Sequence, residues 1–302
     1  MTTDIAAKKK RVRKWRMWRD ALLLVAPFTI LYIIFFLYPT GRVFQLSFTN
    51  APLIGDFQYV GFANYERLLN DQLFARSVRN TLYFVALSVV PNTAVGLILA
   101  LMVVRLKKLR PPILAAFFLP FMLPVSVVTL IWEWMFDNNY GILQYVLVYF
   151  NNGRPLAVFR NPDWAMPMVA LVTVWWTVGF NMLLFIAGLQ SISKEYYEAA
   201  ALDGASNFKM FRYITWPLLW PITALVLTLQ LIAQLKIFDQ VYLLTGGGPF
   251  NSTIVMLQYV YREAFQQFRG GYASTVSVTL FVLIFVLSII QFRFLRGNRG
   301  RS

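Results

Sequence analysis

Glu198-Ala199-Ala200-Ala201-Leu202-Asp203-Gly204-Ala205, followed by Ile214, Pro217 and Pro221, is a small, helix-forming and partly charged stretch between two long apolar segments. Its position decides the fold. A polar loop between two apolar runs of bilayer length must leave the hydrocarbon, where charge and unpaired backbone are costly. Ala199, Ala200 and Ala201 favour helix and leave a thin profile that another protein can approach closely. Gly204 adopts backbone angles that other residues avoid, which permits a sharp turn. The loop 190–216 is therefore expected to hold two short helices, 193–202 and 205–213, broken at Asp203-Gly204. Glu195 and Glu198 fall near the start of the first. Pro217 is expected to open the next apolar segment, where a missing N–H costs nothing.

Working outward, the surrounding chain reads as membrane-embedded. Of 302 residues, 58% are hydrophobic and only 14% charged, where soluble domains hold nearer one quarter charged. There is no Cys and no His. That removes disulfides, thiolate chemistry, Cys/His metal sites and a His general base, so no catalytic residue and no metal site is assigned. A cleavable signal peptide is not expected. Lys8-Lys9-Lys10-Arg11 precedes an apolar run too long for a signal core, and no small-x-small pattern follows. A bilayer core needs about 20 apolar residues per helix. Six segments qualify: residues 21–39, 78–104, 113–136, 164–189, 217–237 and 272–292. Pro91 and Gly96 in the second predict tilt or a kink. The expectation is an all-α membrane protein with six transmembrane helices. A single membrane domain, 21–294, lies between basic tails at 1–20 and 295–302.

The formal net charge of +15 is less informative than where the bases fall. They cluster at Lys8, Lys9, Lys10, Arg11, Arg13, Lys14, Arg16 and Arg19, then at Arg105, Lys107, Lys108 and Arg110. Further bases are Lys194, Lys209 and Arg212, and finally Arg293, Arg296, Arg299 and Arg301. The positive-inside rule then places both termini and the 190–216 loop on the cytoplasmic side. The clusters are read as topology signals touching anionic membrane lipid, with no nucleic acid as partner. The opposite loops carry turn chemistry at Asn138-Asn139-Tyr140-Gly141, Asn151-Asn152-Gly153 and Asn161-Pro162, and read as ordered. Trp132, Trp134, Trp164, Trp216 and Trp220 fall near segment ends, as amphipathic rings do. Thr245-Gly246-Gly247-Gly248-Pro249 is not a phosphate loop, since no Gly-Lys-Ser/Thr follows it, and no such motif occurs elsewhere. Glu133, Lys236 and Asp239 lie in or beside apolar segments. Lys236 and Asp239, three apart, are expected to share a helix face and pair. Attraction of an anionic solute by Lys236 is the alternative.

The spacing of Glu198-Ala199-Ala200, Asp203-Gly204-Ala205, Phe211, Ile214, Pro217 and Pro221 resembles the coupling loop of binding-protein-dependent ABC importer permeases. Residues 238–249, with Thr253 and 261–265, are similar to the carbohydrate-uptake branch, and to the first of its two unlike permeases. The resemblance runs from about residue 24 to 294. It implies a type I ABC importer permease fold in the bacterial cytoplasmic (inner) membrane and import by alternating access. It implies four kinds of neighbour: a second permease forming a heterodimer, two copies of an ABC ATPase, an extracytoplasmic solute-binding protein, and lipid. ATP and Mg would sit on the ATPase, with no cofactor on this chain. Glu198, Ala199, Ala200, Asp203, Gly204 and Ala205 would engage the ATPase. Thr245, Gly246, Gly247, Gly248 and Pro249 would lie near the outer mouth. In a maltose importer of the family one permease lines the sugar pocket, and the matching positions are Thr173, Trp176, Thr177, Phe180, Gln230 and Gln234. Contacts between helices are the competing role for these residues. The implied solute is a sugar or a sugar- or glycerol-derived compound. An ion-gradient-driven secondary transporter and an intramembrane enzyme are the rivals. Secondary transporters usually show inverted repeats and ionisable midplane residues, and the absence of His and Cys with the scarcity of clustered carboxylates counts against the enzyme.

Overall fold

The computed structural model describes residues 2–106 and 109–297. Lys107, Lys108, Arg299 and Arg301, and the side chains of Lys8, Lys9, Lys10, Arg11, Arg13, Arg16 and Arg296, lie outside the described residues. Among the described residues the regular structure is helical, joined by turns and loops, apart from one isolated bridge between Thr49 and Tyr59. The helices are α1 (Thr2–Tyr32), α2 (Tyr38–Leu46), α3 (Ala63–Leu69), α4 (Gln72–Arg105), α5 (Arg110–Met122), α6 (Val125–Met135) and α7 (Ile142–Phe150). They continue with α8 (Pro162–Gln190), α9 (Lys194–Leu202), α10 (Asn207–Met210), α11 (Trp216–Leu235), α12 (Asp239–Leu244), α13 (Met256–Tyr261) and α14 (Gly270–Gly297). Five stretches are long and apolar enough to cross a membrane: Met17–Leu46, Gln72–Arg105, Pro162–Gln190, Asn207–Leu235 and Gly270–Leu295. The pair α5–α6 passes the same length and composition test when taken together, but is bent by 102° at its break.

Packing fixes the directions of these helices. Phe84 of α4 lies in one apolar cluster with Met166, Val169 and Val172 of α8. Further along, Ala100 and Val103 meet Met182, Phe185 and Ile186. Helices α4 and α8 therefore run parallel. Leu219 and Val226 of α11 join the second cluster, and Ile237 and Val241 join the first, so α11 runs against them. A third cluster, Leu68, Ile254, Tyr259, Tyr272 and Val276, ties α3, α13 and α14 together. The starts of α4 and α8 and the glycine-rich turn after α12 thus share one end of the bundle. Helix α9 stands at the other. Close backbone approach makes the bundle tight, as small residues allow between membrane helices. A Cβ on Gly96 would lie 2.9 Å from that of Asn181, and one on Gly179 would collide with the Phe117 carbonyl.

The structure corrects some sequence expectations and adds detail to others. The segment 113–136 is not one straight span: α5 and α6 meet at 102°. The cause is Pro124, which forces Leu123 into extended backbone (φ −76°, ψ 142°) and stops the helix. The helix of the first span extends from Thr2 to Leu46, well beyond 21–39, through a π-turn at Ile33–Leu37 ahead of Pro39. Helix α4 runs unbroken through Pro91. The loop around 137–163 holds α7 and a short 3-10 turn, Val158–Arg160. Lys236 and Asp239 do not pair. The span ends at Leu235, Lys236 leaves helical geometry (φ −99°, ψ 19°) and both residues are exposed, so no shared helix face exists.

Candidate functional site

The 190–216 loop begins as anticipated. Ser193 caps α9 by accepting from the Glu195 N–H at 3.4 Å. At the other end Gly204 takes φ +73°. Its N–H donates to Ala201 O at 3.1 Å and the Ala205 N–H donates to Ala200 O at 2.9 Å. This pair of bonds is the Schellman stop, which requires a left-handed residue at the glycine position. Open space surrounds Gly204, so glycine is demanded by the backbone angle alone. The second short helix is a correction. Asn207–Met210 runs through a π-turn at Phe211–Thr215 directly into α11, so 205–213 is no separate helix and Pro217 lies inside a continuous rod. The π-turn accommodates Pro217, which has no N–H for the regular ladder. Tyr197 and Thr215 hydroxyls, 2.9 Å apart, tie α9 back to that rod.

Nothing in α9 is buried. Glu198, Ala199, Asp203 and Gly204 are exposed, while Ala200 and Ala205 are half-buried. Beside them stand Leu202 at 90% exposure, Phe208 at 74% and Tyr213 at 73%.

Of the pocket candidates, Thr177, Gln230 and Gln234 are brought together, around two further amides, Asn92 and Asn181. Asn92 of α4 donates to Thr177 Oγ1 at 2.6 Å and to Gln230 Oε1 at 3.2 Å. Asn181 of α8 donates to Asn92 Oδ1 at 3.0 Å and accepts from Gln230 Nε2 at 2.9 Å. Gln234 closes the chain by donating to Gln230 Oε1 at 2.9 Å. Asn92, Asn181, Gln230 and Gln234 are all buried, so this amide cluster bolts α4, α8 and α11 together. Thr173 is buried and donates to its own helix at Val169 O, 2.8 Å away. Trp176 Nε1 donates to Leu123 O, at the α5–α6 bend, at 3.3 Å, and Phe180 stacks on Phe121 at 5.1 Å. In this conformation those polar atoms are spent on helix contacts. The signal for Asn92 and Asn181 was available: each is a lone amide inside an apolar run.

The glycine-rich end is cross-tied. Gly246 and Gly247 take φ +60° and +89°, and Phe250 and Asn251 take +52° and +58°. A left-handed aromatic residue is a true backbone outlier and persists only where its surroundings fix it. Here Arg76 donates to Phe250 O at 2.9 Å, Asn80 donates to Asn251 O and Ile254 O, and Thr253 donates to Gly248 O at 2.7 Å. Asp71, the N-cap of α4, accepts from the Leu73 and Phe74 N–H groups and from the hydroxyls of Tyr259 (2.5 Å) and Tyr272 (2.6 Å). Burial pushes the Asp71 carboxyl up, but these donors outweigh it and hold the pKa below its ordinary value. Burial and the Asp71 bond raise that of Tyr259. Among the described residues no group of three or more His, Cys, Asp or Glu could hold a metal ion.

Comparison with known proteins matches this architecture. Residues 92–300 fit the family model of the binding-protein-dependent transport system inner membrane component. The chain is 32% identical over 302 residues to the sulfoquinovosyl glycerol transport system permease protein of Agrobacterium fabrum, covering 97% of this chain and 98% of that one. It is 31% identical over 295 residues to the arabinooligosaccharides transport system permease protein of Bacillus subtilis, covering 94% of each. A chain in the crystal structure of a bacterial alginate ABC transporter, in complex with alginate pentasaccharide-bound periplasmic protein, superposes with a TM-score of 0.81. That chain is 25% identical, and the match covers 92% of this chain and 96% of that one. The relatives offer nothing for an ion-coupled secondary transporter. The chain belongs to the binding-protein-dependent transport system inner membrane components and is a multi-pass permease subunit of an ABC importer.

Proposed function

We propose that this chain is one of two unlike permeases that carry a sugar, or a sugar- or glycerol-derived solute, into the cell by alternating access. It pairs with a second permease, sits on two copies of a separate ATPase that binds ATP and Mg, and receives solute from an extracytoplasmic binding protein. Both termini and α9 face the cytoplasm, in keeping with the basic residues at that end. Helix α9 and the exposed Leu202, Phe208 and Tyr213 form the surface that the ATPase grips. Gln230, Gln234, Thr173, Trp176, Thr177 and Phe180 line the solute path once the amide cluster opens. The glycine-rich turn stands at the outer mouth.

One observation carries this reading. A Schellman-stopped helix with no buried side chain projects at the bundle end opposite the glycine-rich turn, hinged by Gly204 onto a rod that reaches Gln230. The sugar assignment is supported by the relatives' solutes, which include arabinooligosaccharides and sulfoquinovosyl glycerol. The test is uptake of labelled sugars by proteoliposomes holding this chain with its co-purifying subunits. Uptake is expected to need ATP and the binding protein and to survive collapse of ion gradients. Uptake that follows an ion gradient without ATP overturns the reading.

A further inference from the structure

A cleft of about 520 Å³ opens between the start of α4, the start of α8 and the glycine-rich turn, within the size range of small-ligand sites. Arg76, Arg79 and Tyr83 line it from one face of α4, one turn apart in succession. Phe250 and Ser252 line it from the turn. Among the described residues, the ion pairs are Arg19 with Asp20 and Arg269 with Glu263, so neither cleft arginine is matched by a carboxylate. Arg76 gives one N–H to Phe250 O and keeps the rest. The Ser252 hydroxyl is buried with no hydrogen-bond partner. Tyr83 is 48% exposed and Phe250 86%, so aromatic faces flank the charges.

We propose that this cleft binds the acidic group of an anionic sugar (a carboxylate, sulfonate or phosphate) on its way through the permease. Two guanidinium forks match an oxyanion bidentately, as lysine would not. The unpaired Ser252 hydroxyl supplies a further donor, and Tyr83 and Phe250 offer the flat apolar surface a sugar ring needs. The turn's left-handed residues, fixed by Asn80 and Thr253, hold Phe250 and Ser252 over the arginines before any ligand arrives. The inference rests on the sugar-importer reading and narrows its solute class. An anionic lipid headgroup presents the same chemistry and is separated by the test.

The test is equilibrium dialysis of labelled glucuronate against the full chain in a polyoxyethylene detergent, with glucose as the neutral probe. Saturable glucuronate binding without glucose binding is expected. Arg76→Gln combined with Arg79→Gln should weaken it at least about tenfold, the usual loss for a charged hydrogen bond. Arg79→Gln alone, which breaks no side-chain hydrogen bond among the described residues, should weaken it several-fold and guards against misfolding of the double variant. Absence of saturable glucuronate binding, or equal affinity in the variants, overturns the site. In nanodiscs, equal glucuronate affinity in phosphatidylcholine and phosphatidylglycerol supports a solute site. Loss in phosphatidylglycerol assigns the cleft to a headgroup and overturns it. Because this assay uses no ATP, it fails independently of the uptake assay: ATP-driven uptake of a neutral sugar with no glucuronate binding sinks only the cleft.

Discussion

The two ends of the bundle are built on opposite plans. At the glycine-rich end, side chains from α4, α13, α14 and the turn bond one another across more than 170 residues of sequence. At the α9 end, a helix without a buried residue carries large apolar side chains into the open. The first end is cross-tied within this chain. The second stands open, with no buried residue in its helix. Stability should therefore respond to substitution at the first end and coupled transport to substitution at the second.

The largest stability loss is expected for Asp71→Ala. It removes a helix cap and leaves two buried hydroxyls without their acceptor, a loss of about 2–3 kcal/mol, read as a drop in the melting temperature of the detergent-solubilised chain. The pH dependence has a definite sign. Asp71's folded-state pKa lies below its unfolded value, so its contribution is full above the unfolded pKa, near 3.9, and disappears as pH falls through the folded one. Asp71→Asn should flatten that acid limb of the melting curve. An unchanged melting temperature for Asp71→Ala would erase the contrast between the ends.

Next comes Gly204→Val. Placing a β-branched residue at φ +73° costs about 1–2 kcal/mol locally, and the misaimed α9 should abolish ATP-driven uptake while the spans stay folded. Gln230→Ala is smaller still. Polar contacts between membrane helices average about 0.6 kcal/mol each, and Gln230 makes two of them, so a loss of about 1 kcal/mol and a shift of about 2–4 degrees in melting are expected, alongside altered uptake kinetics if the cluster opens onto the solute path. Unaltered kinetics would leave it as helix glue. The smallest stability effect belongs to Glu198→Lys, within about 0.5 kcal/mol for an exposed site, yet it should depress uptake strongly. Wild-type uptake would show that the exposed end has no gripping partner.

Much of this was legible from the chain alone. Apolar runs of bilayer length gave the spans, and the run of alanines ending at Gly204 gave α9 and its stop, because these are local properties of composition and backbone freedom. Hydropathy does not encode direction, so the 102° turn at Leu123 was missed although Pro124 was in plain sight. The Lys236–Asp239 pair failed for the converse reason: spacing implies a shared face only while the helix continues. Asn92 and Asn181 were passed over because their importance is relational. Each becomes a cluster member only when α4 and α8 lie parallel with their backbones close enough for Gly96 to touch Asn181.

The unbroken rod from Asn207 to Leu235 has a mechanical consequence. At about 1.5 Å per residue, some 35 Å separate its base from Gln230. Leverage over that length is considerable: rocking the base by about 10° sweeps the far amide through roughly 6 Å, more than the reach of any hydrogen bond it makes. On the proposed mechanism, a modest pivot at the foot of such a beam would unfasten the bolts near its far end.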